Sequence, residues 1–303
     1  MIDTYEVSIM ELRHLRYFVA VAEELHFGRA AQRLHMAQPP LSQQIRQLEN
    51  EMGVKLFERN NRRVELTPAG DVFLRETRAI LGNIENAVVR TQQTSLGEWG
   101  WFGVGFVGSV TYGVLPIILR QFRESYPNVE LVLLELRGKE QTEALGAKRI
   151  HVSFTRVPTL QDGIIIEPLM QEPLMVALSS NHRLASQPQV NLRELANEPF
   201  ILFRQGSQSS YGNYLISICQ QAGFTPREVQ NTGEMQTAIS LVSAGIGVTI
   251  VPASAGNLHR EGVVYRSFTE PTPCIGLSVS YRENELSPIL PHFLKIAREI
   301  VRY

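Results

Sequence analysis

The chain has 303 residues, with 29 Lys and Arg against 30 Asp and Glu, so its formal net charge is −1. That length suits two or three domains, and a neutral total argues against a protein that coats nucleic acid indiscriminately. No apolar run approaches the roughly 20 residues of a membrane helix, and Cys219 and Cys274 are too few for a disulfide scaffold or a four-ligand zinc site.

Residues 1–9 carry Asp3 and Glu6 and no Lys or Arg, unlike a secretory leader. The charge is uneven beyond that point. Residues 10–66 hold nine basic and seven acidic side chains, residues 67–97 three of each, and residues 98–303 one acidic residue in excess. Arginine supplies 25 of the 29 cations, a bias that suits phosphate and carboxylate recognition and also GC-rich coding.

Leu12, Leu15, Phe18, Val19, Ala22 and Leu25 recur at spacings that predict a helix over 11–25. A second helix fits 28–35, with Ala30, Ala31 and Leu34 inward. Pro39 and Pro40 open a third that runs to about Met52, since first-turn N–H groups need no intrahelical partner, and Gly53 ends it. On this third helix Leu41, Ile45, Leu48 and Met52 share one arc, and Gln43, Arg46, Gln47 and Asn50 face away. Amides and a guanidinium suit base edges in a major groove. Ser42 flanks that face. Two short strands, 56–58 and 64–66, follow, with Asn60 and Asn61 as turn residues and Arg59, Arg62 and Arg63 near the tip. Three helices and a basic hairpin form a winged helix-turn-helix, in which the wing holds phosphates and the third helix reads bases.

MELRHLRYFV from residue 10, RAAQRL at 29–34, AQPPLSQQI at 37–45, LE at 48–49 and LTPAG at 66–70 resemble the DNA-binding domain of LysR-type transcriptional regulators. Family members usually begin at the position of Met10, so the resemblance implies that residues 1–9 are an N-terminal extension or the product of an upstream start codon, and that Gln38, Pro39, Pro40, Ser42 and Gln43 enter the major groove. Relatives often carry Arg at position 43, and Gln there shifts base preference toward adenine.

A single helix is expected over 68–97. Phe73, Thr77, Ile80, Ile84, Ala87, Thr91 and Thr94 keep four-three spacing, a seam for helix pairing. Leu74, Leu81 and Val88 flank it. A core helix of its own domain is the alternative reading. The resemblance implies that this linker pairs two DNA-binding domains, in keeping with a two-fold symmetric operator.

From residue 98 the pattern becomes α/β: strands at 101–107, 129–136, 150–154, 174–178, 200–203 and 248–251, and helices at 112–125, 141–147, 215–222 and 237–244. That order predicts mostly parallel sheets in two small subdomains, one over about 98–170 and 272–303 and the other over about 171–271. Gly103, Gly105 and Gly108 satisfy a dinucleotide-binding spacing, which raises an NAD-linked enzyme as the competing function. The register opposes it, because the first two glycines fall inside the strand. Cys219 and Cys274 lack the spacing of a peroxide sensor, and His151, His182, His259 and His292 lack metal-ligand spacing.

VGFVGS at 104–109, LP at 115–116, QTEAL at 141–145, IHVSF at 150–154, PLMVAL at 173–178 and VSAGIGVTIVPA at 242–253 resemble the effector-binding domain of the same family. The pattern is that of its muconate-, benzoate- and chlorocatechol-responsive branch, and it implies a type 2 periplasmic-binding-protein fold. Carried over, Gly108, Ser109 and Val110 bind an effector carboxylate, Phe203, Ser207 and Tyr211 line the facing subdomain, and Arg156 and Arg204 lie at the cleft. Gly138 stands where the muconate responders carry a hydroxyl residue and Met170 where they carry an arginine, so the resemblance implies an aromatic or short organic acid rather than muconate itself. The expected protein is a bacterial, cytoplasmic regulator without catalysis, cofactor or metal. Its partners are promoter DNA, a small organic acid, RNA polymerase and its own copies, as a dimer of dimers.

Overall fold

The computed structural model describes residues 10–60, 63–203, 211–269 and 271–302. The extension 1–9, the expected turn residue Asn61 and the expected site residues Arg62, Arg204 and Ser207 lie outside them. The chain divides into two compact units, one ending at Gln92 and the other beginning at Gln93.

The first unit holds α1 (Leu12–Glu24), α2 (Phe27–Arg33), α3 (Gln38–Met52) and a hairpin of β1 (Phe57–Asn60) with β2 (Arg63–Leu66). Its core gathers Phe18, Phe27, Leu41, Ile45, Leu48, Leu56 and Phe57. The Phe18 ring lies 5.3 Å from Phe57 and 4.8 Å from Phe73, where buried aromatic rings are worth about 1.5–3 kcal/mol each. Leu12 and Leu25, expected on the inner face, remain exposed at the two ends of α1. His26 caps α2 by accepting the Gly28 and Arg29 N–H groups on Nδ1. Gly53 closes α3 in the left-handed conformation, at φ 68°. The hairpin pairing extends to Asn60 opposite Arg63, so Asn60 belongs to the strand where the sequence suggested a turn.

The long helix α4 (Pro68–Ser95) begins at Thr67, whose hydroxyl accepts the Gly70 N–H and donates to the Lys55 carbonyl. A Cβ on Gly70 would lie 2.2 Å from the Leu56 carbonyl oxygen, so the helix start and the hairpin meet only through glycine. The LTPAG segment is thus a cap, a first-turn proline and a contact point.

The second unit runs in chain order as β3 (Gly100–Phe106), a 3-10 helix (Gly108–Tyr112), α5 (Leu115–Ser125), β4 (Val129–Glu135), α6 (Lys139–Gly146), β5 (Val152–Thr155) and β6 (Ile164–Ser179). It continues with β7 (Gln189–Val190), a 3-10 helix (Leu192–Leu195), β8 (Pro199–Leu202), α7 (Tyr211–Gln221), β9 (Arg227–Asn231), α8 (Met235–Ser243) and β10 (Thr249–Pro252). A 3-10 helix (Ala253–Asn257), β11 (Val263–Phe268), β12 (Cys274–Arg282) and α9 (Ile289–Val301) complete it.

Two expectations are corrected here. The helix expected over 112–125 is split: Gly113, at φ −116° and ψ −122°, leaves helical space, and α5 restarts with Pro116 in its first turn. The sheets are mixed. Strands β4, β3 and β5 run parallel, but β12 is antiparallel to β5 and β6, and β10 and β11 are antiparallel to β6. The cause is β6 itself, a 16-residue strand of which the sequence reading recognised only the last third. Its first part lacks alternation, and Pro168 sits where the register with β12 slips by a residue, a place that spares proline's missing donor.

The same strand divides the unit. Residues 164–173 complete a sheet ordered β4-β3-β5-β12-β6, and residues 174–179 join β10, β11 and β7. One core surrounds Phe102, Phe122, Phe154 and Phe293, and a second surrounds Phe200, Leu215, Ile239 and Ile250. The chain crosses between them beside the Leu174 N–H to Pro273 carbonyl hydrogen bond. This is the two-lobed plan with paired crossing strands. Among the described residues no helix is long and apolar enough to cross a membrane.

Candidate DNA-binding and effector sites

On α3, Leu41, Ile45 and Leu48 are buried, and Gln38, Pro39, Pro40, Gln43, Arg46, Gln47 and Asn50 are exposed; Ser42 is half-buried. Two polar residues that the sequence reading passed over hold this face in place. His14 Nδ1 accepts the Glu11 N–H, which leaves Nε2 to donate to Gln44 Oε1 at 2.8 Å and tie α3 to α1. Glu49 is 2% exposed. Its Oε1 accepts the Leu56 and Phe57 N–H groups, and its Oε2 takes Arg59 at 2.9 Å. Arg59 also stands 4.9 Å over the Phe27 ring. The structure therefore engages Arg59 in fixing the hairpin to α3, whereas Arg63 is exposed. A carboxylate directly after the apolar Leu48 was the available sequence signal for Glu49.

Along α4, Phe73 and the fully buried Thr77 close the core of their own unit, so the expected seam starts later. Ile80, Val88 and Val89 are exposed beyond them, with Ala87 exposed and Ile84 half-buried on the same stretch. Arg78 binds Glu23 at 2.7 Å and fastens α4 to α1. Arg78 and then Arg33 hold the Glu23 carboxyl below its usual range.

In the second unit, Gly108, Ser109 and Val110 form the 3-10 helix after β3. Ser109 Oγ accepts from Arg156 Nε at 3.1 Å. Arg156 is 7% exposed, and its Nη1 lies 2.7 Å from Glu172 Oε2 without hydrogen-bond geometry. Glu172 Oε1 accepts the Ser254 N–H at 2.6 Å. Arg156 comes from one lobe, Glu172 from the crossing strand and Ser254 from the other lobe, so one buried ion pair spans the cleft. Glu172 and Ser254 were absent from the sequence reading, because charge pairing between distant segments leaves no local pattern.

A cavity of about 100 Å³ lies beside this pair, lined by Val110, Met170, Glu172 and Leu277 among others. Phe203 and Tyr211 face one another at 5.3 Å, and the Tyr211 hydroxyl donates to the Ile250 carbonyl. Burial pushes that hydroxyl above its usual range, with Arg156 and Glu172 close enough to act on it. At the rim Arg137, after β4, pairs with Glu234, which precedes α8 of the other lobe. Gly138 takes φ 41° and ψ −113°, a positive-φ conformation that glycine adopts without strain.

The glycine-rich strand has a packing cause. A Cβ on Gly103 would lie 2.8 Å from the Arg149 carbonyl oxygen, and one on Gly105 2.6 Å from Ile150 Cδ1. Both glycines admit a neighbouring segment to the strand, and the dinucleotide reading loses its basis. Cys219 is buried, its thiol pushed up to about 12 by desolvation, and Cys274 is exposed and unpaired. Among the described residues no group of three or more metal-ligating side chains occurs.

Residues 12–71 match the profile of the bacterial regulatory helix-turn-helix protein, lysR family, and residues 97–302 that of the LysR substrate binding domain. The chain belongs to the LysR family of transcriptional regulators. It is 42% identical over 288 residues to AlsR of Bacillus subtilis, covering 95% of each chain. It is 39% identical to CatR of Pseudomonas putida, covering 95% of this chain and 98% of that one. Full-length CbnR in complex with its target DNA superposes with a TM-score of 0.87 at 32% identity, covering 96% of this chain and all of that one. The BenM effector binding domain with benzoate covers 67% of this chain and 93% of that one, at a TM-score of 0.63 and 29% identity. This LysR chain is a regulator with an effector-binding domain, not an enzyme, and the NAD-linked alternative is withdrawn.

Proposed function

We propose that this LysR regulator binds double-stranded promoter DNA as a dimer, assembled further into a dimer of dimers, and answers to a small organic acid held between the lobes of its second unit. The reading includes contact with RNA polymerase, residence in the cytoplasm and no resident cofactor. The observation that carries it is Arg156, a buried guanidinium beside Ser109 whose Nη1 has no well-formed hydrogen bond. A buried guanidinium that pairs with Glu172 without a well-formed hydrogen bond, beside a serine hydroxyl, offers a seat for a carboxylate. CbnR with its target DNA and BenM with benzoate support the two ligand classes. In this reading Gln38, Pro39, Pro40, Ser42, Gln43 and Arg46 meet the major groove, and Arg63 meets phosphate.

A gel shift on the DNA upstream of the chain's own coding sequence tests the reading. A sequence-specific, salt-sensitive shift is expected, and Gln43→Ala should cost about 1–3 kcal/mol at a single base pair. A loss spread evenly over all sequences would remove Gln43 from the base readers. For the effector, thermal shift across aromatic and aliphatic acids should raise the melting temperature of the wild type. Ser109→Ala should weaken that response and leave operator binding intact.

A further inference from the structure

Two carboxylates from opposite lobes converge on the turn that holds Ser109. A Cβ built on Gly108 would lie 2.5 Å from Glu135 Oε1 and 3.7 Å from Glu234 Oε2. The two groups therefore stand within about 6 Å of one another, a range at which like charges interact strongly. Glu135 ends β4 of one lobe and Glu234 stands just before α8 of the other. They differ in their partners: Glu234 pairs with Arg137, whereas the Glu135 carboxylate is exposed and has no protein partner among the described residues. The Tyr112 hydroxyl also faces Glu135, whose charge adds to burial in holding the phenol above its usual range.

We propose that Glu135, backed by Glu234, sets the chemical class of the effector: a monocarboxylate that bears a hydroxyl or ammonium donor, with dicarboxylates excluded. The inference rests on the cleft reading above, in which one carboxylate takes Ser109 and Arg156. Gly108 adjoins Ser109 in the same turn, so the remainder of a ligand seated there meets Glu135. A donor on the ligand takes the place of water on that exposed carboxylate. A second carboxylate places a third like charge at the same point, where Arg137 already pairs with Glu234, and Arg156 already serves both Glu172 and the first carboxylate.

The test is calorimetric titration of the full-length protein with two matched pairs of acids. The pairs are 3-hydroxybenzoate against isophthalate, and 3-hydroxypropanoate against malonate. In at least one pair the hydroxy acid should bind the wild type about tenfold or more tighter than the diacid, and Glu135→Gln should narrow that ratio about fivefold or more, mainly by admitting the diacid. Operator binding by Glu135→Gln should match the wild type, which separates a folding defect from a change of specificity. Equal binding of diacid and hydroxy acid, abolished together by Ser109→Ala, overturns the role of Glu135 and leaves the cleft reading standing. A discrimination that survives Glu135→Gln does the same. Silence of all four acids on both proteins overturns the cleft reading and this inference with it.

Discussion

Arg156 and Glu172 form an ion pair in which each residue is only 7% exposed. Desolvation of such a pair can rival its Coulomb attraction, so the pair contributes little net stability while intact. Removal of one partner is another matter. Glu172→Ala strands a buried guanidinium and should destabilise the second unit by about 3–5 kcal/mol. In a denaturation cycle, Arg156→Met with Glu172→Ala should lose less than the two single changes together; strict additivity would mean the two groups do not interact. His151 provides the acid-sensitive counterpart. Its Nδ1 accepts the Gly103 N–H, its ring stacks on Phe102, and burial, with Arg282 nearby, lowers its pKa from 6.5 to about 4. Between those values the unfolded chain binds more protons than the folded one, so stability falls as pH drops through that window, by up to about 3 kcal/mol. Urea unfolding at pH 7 and pH 5 should show the loss in the wild type and much less of it in His151→Gln. An unchanged difference would place the titration elsewhere.

At the scale of elements, α4 joins two roles that its sequence pattern merged. Its seam spacing runs unbroken from Phe73, yet Phe73 packs on Phe18 and Thr77 is buried, and along the seam itself apolar surface lies open only from Ile80 onward. Periodicity reports that one face is apolar and is silent on what covers it. Pairing of two chains through the open part predicts that Ile84→Asp shifts the protein toward monomer in sedimentation. Operator affinity should fall about tenfold or more, because each dimer then loses one of two half-site contacts. A dimer that persists would move the pairing surface off this helix. The hairpin shows the same limit. Three arginines near its tip read alike in sequence, but Glu49 engages Arg59 and leaves Arg63 exposed.

For the whole molecule, the neutral total conceals a net +2 over residues 10–66. Doubling by dimerisation would place both copies of that segment on one operator. Arg63→Ala should weaken binding to every sequence and lower the magnitude of the salt dependence of log K by about 1. A slope equal to that of the wild type would take Arg63 off the phosphate contacts.

The sequence by itself determined the winged helix-turn-helix, the linker helix and the α/β character of the remainder, because each rests on local spacing, capping residues and glycine or proline placement. LTPAG and the prolines of α3 are cases where the residue type follows from the backbone position it must occupy. The sequence did not disclose the mixed sheets, since β6 carries two prolines and no alternation over its first part. Nor did it mark α9, although Ile289, Leu290, Phe293, Leu294, Ile296 and Ala297 line one buried face of that helix. Only the tertiary structure decided which charges are spent on the fold and which are left for a ligand. Glu49 with Arg59, Glu172 with Arg156, and the unpaired Glu135 all depend on segments brought together across the chain, and Coulomb attraction acts through space rather than along the sequence.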